Sequence, residues 1–391
     1  MMDYSKILNQ SVLEIAPSGI RKFFDIAEKM ENVISLGVGE PDFPTPWHIR
    51  SAGIRSLELS KTRYTSNSGL LELRKEISKY VNRKYNVSYA PEDEILISVG
   101  GSEAIDACIR ALVSSGDEVI IPEPSFVCYK PITIMAGGVP VIVNTSIEDN
   151  FKLTADKLKQ AITPKTKAIV LPFPSNPTGS ILEREDLEQI ADVLKGTDII
   201  VIADEIYAEL TYGGKQHISI ASIESMKERT VLINGFSKSY SMTGWRLGFA
   251  CGPEAIIKQM TKIHQFAIMS SPTTSQYAAI EAIKNGDKDI ADMLEQYDDR
   301  RKIIVSGFNK IGLTCHEPFG AFYAFPSIKK SGLSSEEFCE KLLMSKKVAL
   351  VPGTAFGKSG EGFVRASYCY SVEHIKEALS RIEEFMKELG L

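Results

Sequence analysis

The sequence predicts an α/β protein: a large domain with a mostly parallel sheet sandwiched by helices, plus a smaller α+β domain. Three observations carry that prediction. From about residue 46 to 285, apolar strand-like runs alternate with amphipathic helical stretches. Parallel strands covered on both faces read as continuous apolar runs of this kind. A long helical region, Thr273 to Ile311, comes after Pro272. The tail then turns to short strand-like segments, GAFYAFP, KVALVPG and GFVRASY, before a terminal helix from Val372 to Leu389. The expected division is an N-terminal segment over 1–45 that joins the small domain, a large domain over 46–285 and a small domain over 286–391.

Bulk properties narrow the function classes. The 391 residues suffice for two or three domain-sized units, and 43% hydrophobic with 24% charged residues is ordinary for a globular protein. The net charge of −5 and the absence of a concentrated basic face argue against a nucleic-acid partner. No apolar run approaches the roughly 20 residues that span a bilayer, so no membrane partner is expected. The N-terminal stretch MMDYSKILNQSVLEIAPSGIRKFF has no uninterrupted apolar core leading to a small-residue cleavage site, and a cytoplasmic location is expected. Six dispersed cysteines, with no CxxC, and five scattered histidines give neither a disulfide framework nor a metal site.

Element by element, the N-terminal segment has a helical pattern over Ile20 to Met30, the extended Val33-Ile34-Ser35-Leu36 and the turn GVGEPDFPTP. In open α/β sheets, ligands bind beyond the carboxyl ends of the strands. The residues just past each apolar run are therefore candidates for a binding site. Glu94 to Val99 leads into Gly100-Gly101-Ser102 and a helix, whose exposed N–H groups and dipole suit a phosphate. Beyond Glu118 to Pro122 lies Phe126, an aromatic able to stack on a flat ring. Ala168 to Leu171 enters PFPSNPTG, a Pro-rich loop carrying Asn176 as both donor and acceptor. Asp198 to Ala203 ends in Asp204, where a carboxylate is costly unless it is paired. Val231 to Ile233 runs on to Ser237-Lys238-Ser239 and, after a loop, Arg246.

A lysine at a desolvated strand end has a depressed pKa and suits a Schiff base. Serine hydroxyls and an arginine suit a phosphate. Alone, each feature also has a structural reading: a tight turn, a core aromatic, a helix cap or a solvated lysine. Together they describe one ligand that is anionic at one end, flat, aromatic, and furnished with a ring nitrogen and an aldehyde. That ligand is pyridoxal 5′-phosphate.

With SNPTG, ADEIY and SKSYSMTGWRLG in this order and spacing, the sequence resembles a class I/II aminotransferase of fold type I. The similarity extends from LGVGEPDF to GFVRASY. The resemblance implies that Lys238 binds the cofactor aldehyde and then moves the substrate proton, while Asp204 keeps the pyridine nitrogen protonated. It implies that Tyr207 and Asn176 bond the cofactor's phenolic oxygen and that Phe126 stacks on its ring. Gly101, Ser102, Ser237 and Arg246 would hold the phosphate, with Ser239 a further candidate. Tyr64 would reach the phosphate from a second subunit, which implies a homodimer with shared active sites. Arg365 would grip the substrate α-carboxylate, with Gly39 close by and Ile20 a candidate side-chain contact.

The activity expected is ping-pong transfer of an amino group from an L-amino acid to a 2-oxo acid such as 2-oxoglutarate. Aspartate-using members of the family can place a lysine directly after the paired glycines, and here that position is Ser102. An aromatic or broad specificity is therefore favoured. An aspartate or N-acetyl-diaminopimelate aminotransferase and a C–S β-lyase are the alternatives.

Overall fold

Apolar runs become strands where the sequence places them. After a short strand, β1 (Ile34–Ser35), come β2 (Ile95–Ser98), β3 (Glu118–Glu123), β4 (Val139–Asn144) and β5 (Thr166–Leu171). Next in the chain are β6 (Ile200–Asp204), β7 (Thr230–Gly235) and β8 (Gly248–Cys251). Strands β2 to β8 form one seven-stranded sheet in the order β2-β8-β7-β6-β5-β3-β4. The run β4-β3-β5-β6-β7 is parallel throughout, and β8 is antiparallel to both β7 and β2. Two reversals restore direction, so β2 points the same way as β7. The chain thus leaves β2, β3, β5, β6 and β7 at a single edge and enters β8 from it. The computed structural model describes Met2, residues 4–17, Gly19 and residues 30–391, so all but Met30 of the expected N-terminal helix lies outside the described residues.

Helices cover both faces of the sheet. They are α1 (Trp47–Glu58), α2 (Leu71–Tyr85), α3 (Gly101–Leu112), α4 (Tyr129–Met135), α5 (Ala155–Ala161), α6 (Arg184–Leu194), α7 (Glu254–Ala267) and α8 (Thr273–Asn285). Along β2, Ile95 and Ile97 pack with Leu73 and Ile77 of α2 and Ala278 of α8. Leu96, between them, joins Ile105 and Ile109 of α3 and Met260 of α7 on the opposite face. That two-residue alternation, with both faces buried, is why Ile95 to Ile97 are all apolar, and the buried Ser98 that follows donates to the Gly100 carbonyl. The region 273–311 divides at Gly286 into α8 and α9 (Asp287–Ile311). A Cβ at Gly286 would meet the Ala282 carbonyl at 2.6 Å and the Tyr240 ring at 2.7 Å, so the close approach requires glycine.

The tail holds β9 (Tyr323–Ala324), α10 (Ser335–Lys346), β10 (Val348–Ala349), β11 (Val351–Pro352), β12 (Val364–Ser367) and α11 (Val372–Glu388). Strands β11, β12 and β9 form an antiparallel sheet, and β1 pairs in parallel with β10. Ile34 and Leu36 accordingly share a core with Phe308, Phe338, Leu342 and Ile375. Both tail helices carry side-chain N-caps: Ser334 accepts from the Glu337 N–H and Ser371 from the His374 N–H. Among the described residues no helix is long and apolar enough to cross a membrane. The six cysteines carry free thiols.

Candidate active site

At the edge where the parallel strands end lies a cavity of about 330 Å³. Its wall brings together most of the residues singled out in the sequence. Gly101 and Ser102 come after β2, Phe126 after β3 and Asn176 after β5, and Asp204 ends β6 with Tyr207 just beyond it. Ser237 and Lys238 come after β7, and Arg246 lies just before β8, which explains its eight-residue separation from the lysine. Gly39 and Arg365 close the cavity from the N-terminal segment and β12.

Lys238 carries the reactive amine. Its Nζ donates to the Gly39 carbonyl at 2.7 Å and lies 5.7 Å from the centroid of the Phe322 ring. Burial lowers its pKa to about 8; Cys369 and Glu40 oppose that fall, and Arg365 and Arg246 add to it. Asp204 is shifted the other way. Burial raises its carboxyl to about 6, although the Tyr129 hydroxyl at 2.6 Å and the Ile206 N–H at 3.3 Å hold it down. A buried carboxyl with a raised pKa and an amine with a lowered one thus face one cavity.

The end nearest α3 suits an anion. Gly100 takes φ +80°, and a Cβ there would come within 2.8 Å of an Arg246 nitrogen. The N-terminus of α3 has no side-chain cap, which leaves its N–H groups available to a ligand. Ser237 is buried, and the buried Ser239 hydroxyl has no hydrogen-bond partner in the described structure. On the cavity wall, Ser237, the Arg246 guanidinium and the start of α3 together fit a phosphate monoester, whereas Ser239 is not part of that wall.

The opposite end is built around Arg365. Its Nη1 donates to Asn176 Oδ1 at 2.9 Å and its Nη2 to the Gly37 carbonyl at 2.6 Å. Because a guanidinium only donates, the Asn176 amide oxygen must face Arg365 and the NH2 is turned elsewhere. The guanidinium lies between two rings, 4.3 Å from the Tyr323 centroid and 4.8 Å from Phe356. Its buried Nε has no partner. The Tyr207 hydroxyl is 2.9 Å from that of Tyr323.

Three further candidates stand as follows. Gly39 lines the cavity, and a Cβ there would collide with the Tyr323 hydroxyl, so glycine is also required by that close approach. The backbone partner of Arg365 is the Gly37 carbonyl. Tyr64 is 83% exposed and is not part of this chain's cavity wall. Ile20 lies outside the described residues. Sequence reasoning passed over Tyr129, Tyr323, Val38 and Thr243, all of which line the cavity. Tyr129 falls three residues after Phe126 on the same strand-end segment, and that spacing was the available signal. Tyr323 lies in a two-residue strand amid aromatics and reads as core.

A strand-end lysine, a buried aspartate, a helix start suited to an anion and a buried arginine on one wall are the parts expected of a pyridoxal-phosphate enzyme acting on amino acids. Comparison with known proteins gives the particular family. The model "Aminotransferase class I and II" matches residues 31–382. YugH of Bacillus subtilis (strain 168), named as an aminotransferase of no stated substrate, is 54% identical over 97% of this chain and 98% of its own length. The aspartate aminotransferase of Pyrococcus abyssi (strain GE5 / Orsay) is 46% identical over 96% of this chain and 97% of its own. The structure of an aromatic aminotransferase from Pyrococcus horikoshii OT3 superposes with a TM-score of 0.90 at 44% identity, covering 94% of this chain and 99% of that one. The chain belongs to the class I and II aminotransferases and is a pyridoxal-phosphate-dependent enzyme that transfers amino groups.

Proposed function

We propose that the enzyme moves the amino group of an aromatic or broadly chosen L-amino acid to 2-oxoglutarate in two half-reactions at this one cavity. Bound pyridoxal phosphate supplies the electron sink that makes the substrate Cα–H acidic. Lys238 captures the cofactor through its amine and then takes the α-proton, roles suited to a pKa of about 8. Asp204 pairs with the ring nitrogen, while Asn176 and Tyr207 donate to the phenolic oxygen. Phe126 stacks on the ring. The N-terminus of α3 at Gly101 and Ser102, with Ser237 and Arg246, holds the phosphate. Arg365, with its unpartnered Nε, receives the substrate α-carboxylate beside Gly39.

One observation carries the substrate class. Among the described residues only three cationic side chains line the cavity, Lys238, Arg246 and Arg365, and each already has a task. None of them is left for a second carboxylate, and Val38, Ile105, Phe126, Pro172, Pro174 and Tyr323 give the wall a large apolar and aromatic share. The test is a single-turnover screen of the holoenzyme against each amino acid, tracking absorbance as the aldehyde form of the cofactor converts to the amine form. Aromatic amino acids should convert it fastest. Aspartate reacting at least about tenfold faster than phenylalanine and tyrosine would reverse the substrate assignment.

The working form is a cytoplasmic homodimer with Tyr64 of each chain completing the other's phosphate site. Supporting this, Trp47, Leu57, Tyr64 and Phe266 are large, apolar and exposed. The 64–67 loop carrying Tyr64 is tied to the Phe266–Met269 segment by the Asn67 amide, which donates to the Met269 carbonyl at 2.8 Å. The two-domain division is 46–285 and 286–391, with 1–45 joining the latter; the β1–β10 pairing supports the last point.

A further inference from the structure

One short stretch, Phe126 to Tyr129, reaches the cavity twice. The Phe126 ring lines it, and Tyr129, the first residue of α4, sends its hydroxyl to Asp204 Oδ2 at 2.6 Å. Both members of that hydrogen bond are buried. The two rings meet edge-on, 6.1 Å between centroids at 79°. Oδ1 of Asp204 receives only the longer Ile206 N–H contact of 3.3 Å, so Tyr129 is the side-chain donor to this carboxylate.

From this arrangement we propose that Tyr129 is a positioning residue for amino transfer: its hydroxyl keeps Asp204 ionised and leaves Oδ1 turned to the cofactor's ring nitrogen. The inference rests on the pairing of Asp204 with that nitrogen proposed above. Burial alone drives a carboxyl towards its neutral form, and a neutral acid no longer stabilises a protonated ring nitrogen. Tyr129 does not compete for the charge, because burial and the nearby Asp204 push its own pKa far above the ordinary phenol value. The surrounding titratable groups are Cys128 just before α4, Asp106 on α3, Glu205 beside Asp204, and Tyr207 and Lys238 on the cavity wall. Burial raises Cys128, so it stays neutral, and Glu205 pushes Asp204 towards protonation. A hydrogen bond to a charged group is worth roughly one to two powers of ten in an ionisation constant. Losing it should therefore raise the Asp204 midpoint by roughly one to two pH units.

The experiment is infrared titration of the full chain, with and without pyridoxal phosphate. It tracks the neutral-carboxyl band that disappears in Asp204→Asn, with Tyr129→Phe compared against the parent. The parent without cofactor should lose the band near pH 6, and Tyr129→Phe about one to two pH units higher. Equal midpoints in the two proteins overturn the proposal. So does a neutral Asp204 in the parent at about pH 8, a result that does not depend on the variant folding. In steady state, Tyr129→Phe should lower kcat about tenfold with little change in substrate KM. A raised midpoint with unchanged kcat keeps Tyr129 as the group that ionises Asp204, but overturns its part in amino transfer and, with it, the pairing of Asp204 with the ring nitrogen.

Discussion

Nη1 of Arg365 donates to Oδ1 of Asn176 at 2.9 Å, joining a strand of the C-terminal sheet to a loop of the central one. In the proposed reading this bond links the arginine that receives the α-carboxylate to a residue that bonds the cofactor. A lysine could not span it, because an ammonium has no planar fork and no flat face to fit between Tyr323 and Phe356. Arg365→Lys is therefore predicted to raise KM for both the amino acid and the oxo acid and to lower kcat/KM at least a hundredfold, about 3 kcal/mol. Steady-state kinetics with the fold checked by circular dichroism measures this.

Lys238 gives a stability prediction with a definite sign. Its folded pKa of about 8 lies below the ordinary 10.5, so the unfolded chain binds the proton more tightly. The native state of the cofactor-free chain is thus destabilised at neutral pH, and stability recovers as pH rises from about 8 towards 10.5. Lys238→Met should abolish transamination yet raise the neutral-pH melting temperature of the cofactor-free protein, by an amount equivalent to roughly 3 kcal/mol. Equal melting temperatures would show that the amine is not desolvated in the native state.

His48 predicts the opposite slope in a different place. Burial by itself would lower its pKa, but hydrogen bonds to Asp289 at 2.9 Å and Glu281 at 2.8 Å outweigh that and raise it. The resulting stabilisation is fully present below the unfolded value of 6.5 and is lost as pH rises through the folded value. The parent's melting temperature should fall more steeply than that of His48→Gln between about pH 6 and pH 8.

Gly39 and Tyr323 should behave as a coupled pair. A Cβ at Gly39 would collide with the Tyr323 hydroxyl, and once that oxygen is removed its next neighbours are ring carbons at 3.1 and 3.3 Å. Gly39→Ala is predicted to lower kcat/KM about a hundredfold, and adding Tyr323→Phe to recover part of the loss. Strictly additive effects would place the damage at Gly39 elsewhere, for example on the carbonyl that accepts from Lys238.

Much of this site was legible in the sequence because it is made at strand ends. Asn176, Asp204 and Lys238 each interrupt or end an apolar run, so a polar group appears where burial makes it costly. Arg365 is different: it sits on a short strand among ordinary residues, and only the family resemblance singled it out. Tyr323 was not legible, because a buried tyrosine reads as core unless the partner of its hydroxyl is known, and Tyr129 offered only its spacing from Phe126. The adjacency of β1 and β10 joins residues more than 300 positions apart, and no local pattern encodes it.

Removal of the substrate's α-proton by the Lys238 amine is the step on which the proposed transamination depends. The most direct measurement is the wash-out of deuterium from the α-carbon of an α-deuterated amino acid, compared in the parent holoenzyme and in Lys238→Ala reconstituted with pyridoxal phosphate. Rapid loss is predicted in the parent, with a decrease of at least about a thousandfold in the variant. Exchange at the parent rate in Lys238→Ala would contradict the assignment of Lys238 as the base.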